Sequence, residues 1–218
     1  MEKNKAMIFV NGDLKDISRL RSQITADTYL VAVDGGLRHL KALGLKPDLL
    51  VGDMDSVSLQ DLAEVKKSGI EIRQYPVEKD ETDLELALEV VLVMGFDQIK
   101  IAAALGGRLD QTLGNLFLLR RMDLVEKDIR LDDGVEEIFL IRNQIVVEGK
   151  KGDSISLLPL SKAVQGVITK GLKYPINDET LFAEKTRGIS NEMLSNTAHI
   201  TVKSGVLICI HDFTAKNN

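Results

Sequence analysis

The first 128 residues alternate short apolar runs with longer stretches patterned for helix, and the remainder of the chain does not. Strand-length runs stand at Met7 to Val10, Tyr29 to Val33, Asp48 to Val51, Glu71 to Tyr75 and Gln98 to Leu105. Such alternation is the signature of βαβ units and a parallel sheet. The clearest helix start is Thr82-Asp83-Leu84-Glu85, a capping box leading into the apolar-rich Leu84 to Met94. Beyond residue 128 the runs are short, β-branched and separated by turn signals: Val135 to Ile141, Gln144 to Val147, Ser154 to Leu158 and Gly166 to Lys170. Ala198 to Lys203 and Val206 to His211 flank Ser204-Gly205, the loop length of a tight hairpin. The expected architecture is α/β plus all-β: an N-terminal Rossmann-like parallel sheet with helices over residues 1–128, and a C-terminal antiparallel β-sandwich over 129–218. No internal repeat or low-complexity linker interrupts it.

Composition narrows the function. Lys and Arg number 28 against 33 Asp and Glu, a net charge of −5, which argues against a nucleic-acid partner because neutralising a phosphate backbone takes a basic surface. Asp outnumbers Glu 19 to 14, a tilt toward caps, turns and metal sites. The one cysteine, Cys209, lies in the apolar run Val206 to Ile210 and reads as a small buried hydrophobe. The N-terminal residues show no signal-peptide core, and no run approaches the roughly 18 apolar residues of a membrane span. A soluble cytoplasmic protein with no membrane partner is expected.

Each expected strand of the first half ends in small or acidic residues. These are Asn11-Gly12-Asp13, Asp34-Gly35-Gly36, Gly52-Asp53-Met54-Asp55-Ser56, Lys79-Asp80-Glu81-Thr82-Asp83 and Gly106-Gly107-Arg108-Leu109-Asp110. In an open parallel sheet the carboxyl ends of the strands share one edge, where ligands bind, so five loops would face one site. Structure alone could account for some of them. Asp34-Gly35-Gly36 suits a tight strand-to-helix turn, Asp83 suits the first turn of a helix, and Asp110 suits an N-cap. Asp53 and Asp55 are harder to explain that way, since two carboxylates one residue apart at the end of an apolar strand repel unless a cation lies between them. All-oxygen donors fit Mg²⁺ held jointly with substrate phosphates, and Asp83 could add a ligand. Gly106-Gly107-Arg108 has the opposite sign: successive glycines form an anion nest, and Arg carries a planar fork of donors. Together they imply a nucleotide with Mg²⁺. Neither GxGxxG nor GxxxxGK[ST] occurs, so the phosphate site is of another design.

Val33 to Gly36, Lys46 to Ser56, Lys79 to Leu84 and Gly106 to Thr112 together resemble the ordered motifs of the thiamin pyrophosphokinase family. The likeness continues through Gly171-Leu172-Lys173-Tyr174-Pro175 and Gly188-Ile189-Ser190-Asn191. The resemblance implies transfer of a pyrophosphoryl group from ATP to the hydroxyl of thiamin, giving thiamin diphosphate and AMP, by a homodimer whose active sites lie between subunits. On the matching positions, Asp53, Asp55 and Asp83 would hold Mg²⁺ and, with Arg108, serve catalysis. Asp34, Gly35, Gly36, Gly106, Gly107, Arg108 and Asp110 would line the ATP site, and Tyr174, Ser190 and Asn191 the thiamin pocket. The pattern departs at Tyr174, where many members carry Trp; Tyr offers a smaller π face to a flat cation, and the position also suits a sandwich-edge core residue. Two other readings stand beside this one. Asp53-Met54-Asp55-Ser56-Val57 fits the DxDx[TV] pattern of haloacid-dehalogenase-like phosphohydrolases, and a crevice without catalysis would make a nucleotide sensor.

Overall fold

The central apolar runs of the first half become strands buried on both faces. The computed structural model describes residues 4–213, and the chain divides into two units, Met1–Gly134 and Val135–Asn218. In the first unit lie β1 (Lys5–Phe9), β2 (Thr28–Val33), β3 (Leu49–Gly52), β4 (Glu71–Gln74), β5 (Gln98–Ala102) and β6 (Asp128–Asp132). All pairings are parallel, in the order β6-β5-β1-β2-β3-β4. The helices between them are α1 (Ile17–Gln23), α2 (Leu37–Ala42), α3 (Leu59–Lys67), α4 (Asp83–Val93) and α5 (Leu109–Leu118). Met7, Phe9, Leu30, Ala32 and Leu50 share a core with Leu20 of α1, Leu37 and Leu40 of α2 and Val65 of α3. The alternate residues Ile8, Val31, Leu49 and Val51 are also fully buried, and α4 contacts β1, β2 and β3. Helices on both sides cover the faces of the central strands β1, β2 and β3, which removes the polar alternation of a half-exposed strand there, whereas the edge strand β4 stays partly exposed.

Local signals set the helix starts. Asp16, Ser58 and Thr82 cap α1, α3 and α4 by accepting first-turn backbone N–H groups. Thr82 Oγ1 accepts from Glu85 N at 3.2 Å, one half of the expected capping box; the Glu85 carboxylate lies 3.6 Å from Arg121. The strand expected from Gln98 to Leu105 stops at Ala102, because Ala103 turns into the left-handed region at φ +61°.

Strand β6 escaped the sequence reading, which begins the second half at residue 129. It belongs to the first unit, with Ile129 and Leu131 buried and Asp132 at 0% exposure. Asp132 looks like a surface residue in sequence. Its charge is met by Arg19 at 2.9 Å and Lys100 at 2.7 Å, from positions far away in the chain.

The second unit is an antiparallel sandwich, as expected. One sheet runs β12-β9-β14-β7 and the other β11-β10-β13-β8. Its strands are β7 (Glu136–Ile141), β8 (Gln144–Glu148), β9 (Ser154–Pro159), β10 (Ala163–Lys170), β11 (Asn177–Phe182), β12 (Asn191–Glu192), β13 (Thr197–Thr201) and β14 (Leu207–Asp212). Inward residues of both sheets form one core, among them Phe139, Val147, Ile155, Leu157, Ile200, Leu207 and Cys209. Cys209 is buried as expected.

The hairpin expected across Ser204-Gly205 does not form. Strand β13 pairs with β10 and β8, whereas β14 pairs with β7 and β9, so the chain crosses from one sheet to the other. Lys203 N donates to Gln165 O at 3.0 Å, Gln165 N to Ser204 O at 2.9 Å and Leu160 N to Val206 O at 2.8 Å. These bonds satisfy the connection without mutual pairing of β13 and β14. Both strands carry an inward apolar face, and placing them in opposite sheets lets Ile200 and Val202 share a core with Leu207 and Cys209. A two-residue spacing alone does not separate a hairpin from such an arch.

No helix among the described residues is long and apolar enough to cross a membrane. The register of β8 gives a test of the sandwich, since Val147 is 0% exposed and its neighbour Val146 is 48% exposed. Val147→Ala should cost about 2 kcal/mol, from two lost methyl groups and the cavity they leave. Val146→Ala should stay within about 0.5 kcal/mol of wild type. Denaturation midpoints measure both, and equal losses would contradict the assigned register.

Candidate active site

Strand order reverses between β1 and β5, so the loops leaving them diverge and open a crevice at the carboxyl edge of the sheet. A cavity of about 580 Å³ lies there, lined by residues including Asn11, Gly12, Asp34, Asp83, Gly106 and Asn115. That volume suits a small-molecule ligand. All five loops singled out in the sequence contribute lining residues, the loop after β3 through Ser56.

Backbone packs on backbone around this crevice, which is why several loop positions are glycine. A Cβ on Gly36 would lie 1.9 Å from Phe9 O, and one on Gly12 would lie 2.1 Å from Ala103 O. Arg38 and His39, at the start of α2, hold the β1 loop in place. Arg38 Nη2 donates to Asn11 O and to Gly12 O, both at 2.8 Å, and Nη1 bonds the Asn11 side chain. His39 Nε2–H donates to Gly12 O at 3.0 Å, and burial pushes its pKa below the ordinary histidine value. Sequence reading missed both residues; their only signal is their place immediately after the Asp34-Gly35-Gly36 turn.

The acids converge from two loops. Asp34, Gly35 and Gly36 form a buried 3₁₀ turn leading into α2, with Asp34 at φ +44°. Asp34 Oδ1 accepts from Met54 N at 3.0 Å. Met54 has φ +71° and turns its side chain into the core. That tight turn presents Asp53 and Asp55, and Asp55 N donates to Asp53 Oδ1 at 3.0 Å. Asp34, Asp53 and Asp55 each offer a carboxylate oxygen within 4.8 Å of the others. Asp34 therefore stands with two of the three acids expected to bind metal, Asp53 and Asp55, beside its expected place on the cavity wall.

Asp83 opens α4 and meets a different partner. Its Oδ1 is buried and lies 2.8 Å from Lys79 Nζ, off the line of a hydrogen bond, so the contact is an ion pair. Lys79 Nζ is 4.0 Å from Asp53 Oδ2 and donates to Pro76 O at 2.9 Å. Burial works against the ammonium, but Asp83, Asp53 and Asp34 outweigh it and hold the Lys79 pKa above the usual lysine value. Asp34 is pushed up to about 7, first by burial and next by the charges of Asp83 and Asp53, against the lowering effect of the Met54 N–H.

The β5 loop supplies the opposite sign. Gly106 and Gly107 both take positive φ, at +80° and +68°, and the space around Gly107 is open. They are glycine for conformation, and their N–H groups sit just before the first turn of α5. Asn115 Nδ2 donates to Ala104 O at 3.0 Å and Thr112 Oγ1 to Gly106 O at 3.2 Å, fixing the loop on the helix. Arg108 occupies the N-cap position of α5, displacing Asp110 into the first turn. The Arg108 side chain is exposed and pairs with Asp110 at 2.6 Å.

Tyr174, Ser190 and Asn191 come together within the second unit. Asn191 is buried, and its amide is spent on Tyr174: Oδ1 accepts from Tyr174 N at 2.9 Å and Nδ2 donates to Tyr174 O at 2.7 Å. The Tyr174 ring is 57% exposed, which sets aside the core reading of this residue, and Lys173 Nζ stands 5.9 Å from its centroid. Ser190, at φ +55°, is exposed and donates its N–H to Ser156 Oγ at 3.0 Å.

Comparison with known proteins agrees with this geometry. Residues 20–132 match the family described as thiamin pyrophosphokinase, catalytic domain, and residues 142–207 the one described as thiamin pyrophosphokinase, vitamin B1 binding domain. The chain is 31% identical over 205 residues to thiamine pyrophosphokinase of Bacillus subtilis, covering 93% of this chain and 96% of that one. The crystal structure of thiamine pyrophosphokinase from Bacillus subtilis matches with a TM-score of 0.86 at 30% identity, over 95% of this chain and 98% of that one. That of thiamin pyrophosphokinase from Geobacillus thermodenitrificans matches with a TM-score of 0.85 at 26% identity, over 97% and 99%. With both family models matched and 31% identity over 93% of its length to a relative, the chain belongs to the thiamin pyrophosphokinase family.

Proposed function

We propose that the cavity at the carboxyl edge receives Mg²⁺ and ATP, and that the surface around Tyr174 receives thiamin, for transfer of the pyrophosphoryl group of ATP to the thiamin hydroxyl with release of AMP. The observation that carries this is the cluster of Asp34, Asp53 and Asp55 within 4.8 Å, beside the buried Asp83 oxygen that lacks a hydrogen bond. Hard carboxylate oxygens crowded in this way fit Mg²⁺. Asp53, Asp55 and Asp34 would hold the ion, with Asp83 next to them; when bound it would neutralise phosphate charge and template the transfer.

The other roles belong to the chain's own groups. The N–H groups of Gly106, Gly107 and the first turn of α5 offer donors to phosphate oxygens, favoured by the helix dipole. The Arg108–Asp110 pair is solvated and weak, so Arg108 is available to exchange Asp110 for a phosphate oxygen. Gly35 and Gly36 let the Asp34 turn pack against Asn11 and the β1 backbone, and so would set the wall of the ATP site. Tyr174 gives an exposed π face to the cationic ring of thiamin, with Asn191 fixing its backbone and Ser190 beside it. The same reading assigns nucleotide binding to the first unit and thiamin binding to the second. It also makes the working molecule a cytoplasmic homodimer with sites shared between subunits, on the family likeness alone. A phosphohydrolase reading finds no support: the Asp53-Met54-Asp55 turn closes β3, not the first strand, and that reading leaves the Gly-Gly-Arg loop without a task.

Asp53→Asn should lower coupled formation of AMP and thiamin diphosphate by about 10³-fold, the scale of losing a metal's charge stabilisation, with folding intact by circular dichroism. Near-normal AMP release by the folded variant would contradict the assignment. Tyr174→Ala should raise the KM for thiamin roughly tenfold through lost stacking while leaving the KM for ATP unchanged. An equal rise in both would argue against a role specific to thiamin.

Asp34 makes stability depend on pH in the cation-free protein. Its folded pKa of about 7 stands above the ordinary 3.8, so its contribution is complete below about pH 4 and is lost as the pH rises through 7. Thermal unfolding of the cation-free wild type should therefore weaken from pH 4 to pH 7 more than that of Asp34→Asn. Parallel profiles for the two proteins would contradict the raised value.

A further inference from the structure

Four carboxylates, Asp34, Asp53, Asp55 and Asp83, crowd one part of this edge, and Lys79 is the cation placed among them. Its side chain is only 11% exposed, its ammonium lies 2.8 Å from Asp83 and 4.0 Å from Asp53, and Pro76 O accepts from it at 2.9 Å. Arg38 is committed to the carbonyls of Asn11 and Gly12, and Arg108 lies exposed at the start of α5, paired with Asp110. We infer that Lys79 is a positioning residue that serves as the resident counter-cation of the acidic cluster, keeping a divalent cation from settling on it until a nucleotide brings its phosphates.

Like-charged carboxylates at this separation, with Asp34 buried and Asp53 and Asp83 half-buried, repel one another, and the fold meets that cost with an ammonium supplied from its own chain. A divalent cation arriving alone must draw Asp53 away from Lys79 and set its own charge beside a nearly buried ammonium that Asp83 and Pro76 O hold in place, which opposes binding. A cation arriving with a triphosphate changes the balance, because the displaced ammonium then has phosphate oxygens to meet. Lys79 and Asp83 are four residues apart, Lys79 in the loop and Asp83 at the start of α4, so the lysine stem can turn while the helix stays fixed. Metal and nucleotide binding are thereby coupled through one side chain.

The inference rests on the metal site proposed above, and its test separates the two. Binding of Mn²⁺ alone, and of Mn²⁺ with α,β-methylene-ATP, is measured by titration with electron paramagnetic resonance of unbound Mn²⁺, for wild type, Lys79→Gln, Lys79→Arg and Asp53→Asn. Wild type should bind Mn²⁺ at least about tenfold more tightly with the nucleotide than without. Lys79→Gln should bind Mn²⁺ alone about tenfold more tightly than wild type and show a smaller gain from nucleotide. Lys79→Arg, which keeps the charge, should stay close to wild type. If Lys79→Gln binds Mn²⁺ alone no more tightly than wild type, while wild type with nucleotide binds it and Asp53→Asn does not, the inference about Lys79 is overturned and the metal site stands. If wild type fails to bind Mn²⁺ even with nucleotide, or Asp53→Asn binds it equally well, the metal site itself is overturned and this inference with it.

Discussion

The placement of the Asp34 carboxylate against the backbone of the β3 turn is the contact on which the site depends. A side chain at Gly52 would put its Cβ 1.9 Å from Asp34 Oδ1, and Gly52 takes φ +141°, a conformation that other residues resist. With no side chain there, the Asp34 carboxylate reaches across from β2 to β3 and receives the Met54 N–H. That bond aligns the Asp53-Met54-Asp55 turn and brings three carboxylates within 4.8 Å. Asp34, Met54 and Ala103 all adopt positive φ at this edge, at +44°, +71° and +61°. Unfavourable backbone at three non-glycine positions persists because buried sheet and inserted side chains such as Met54 fix it, and its concentration at the cavity is what a functional site leads one to expect.

Charge is handled differently here from elsewhere in the molecule. Asp132 is fully buried but met by Arg19 and Lys100, and Asp133 by Lys15. In the second unit His211 stands between Asp153 at 3.1 Å and Glu137 at 3.5 Å. At the site, Asp34, Asp53 and Asp55 with Asp83 of α4 face, among the described residues, the ammonium of Lys79. Asp34 responds by holding its proton to about pH 7. A site left with an excess of negative charge favours a cation from outside, and the positive-φ Gly106-Gly107 turn offers N–H donors that suit an anion, the pairing on which the proposed function rests. The surplus of Asp over Glu in the composition is therefore informative mainly through where those residues stand.

The parallel sheet, the sandwich and the acidic turn were legible because each is a local pattern. Apolar runs spaced by helical periods name βαβ units, and Asp53 and Asp55 one residue apart announce their own repulsion. What could not be read depended on pairing. Asp34 joins the acids because Val33 sits opposite Val51 in the β2–β3 register, and nothing in a linear spacing reports that. Strand β6 was hidden because Asp132 looks solvated until Arg19 and Lys100 are brought to it. The arch at Ser204-Gly205 passed for a hairpin because the partner of each strand lies in a different sheet. Asn191 was expected to line the thiamin pocket, and the structure spends its amide on the Tyr174 backbone, a long-range bond between positions 17 residues apart.

The most direct test is the location of the cation. Crystals grown with Mn²⁺ and α,β-methylene-ATP would show it by anomalous scattering. The account predicts a peak ligated by carboxylates of Asp34, Asp53 and Asp55 and by nucleotide phosphate, with the phosphates continuing toward Gly106 and Gly107. A peak away from those carboxylates, or a nucleotide bound with no cation among them, would contradict it.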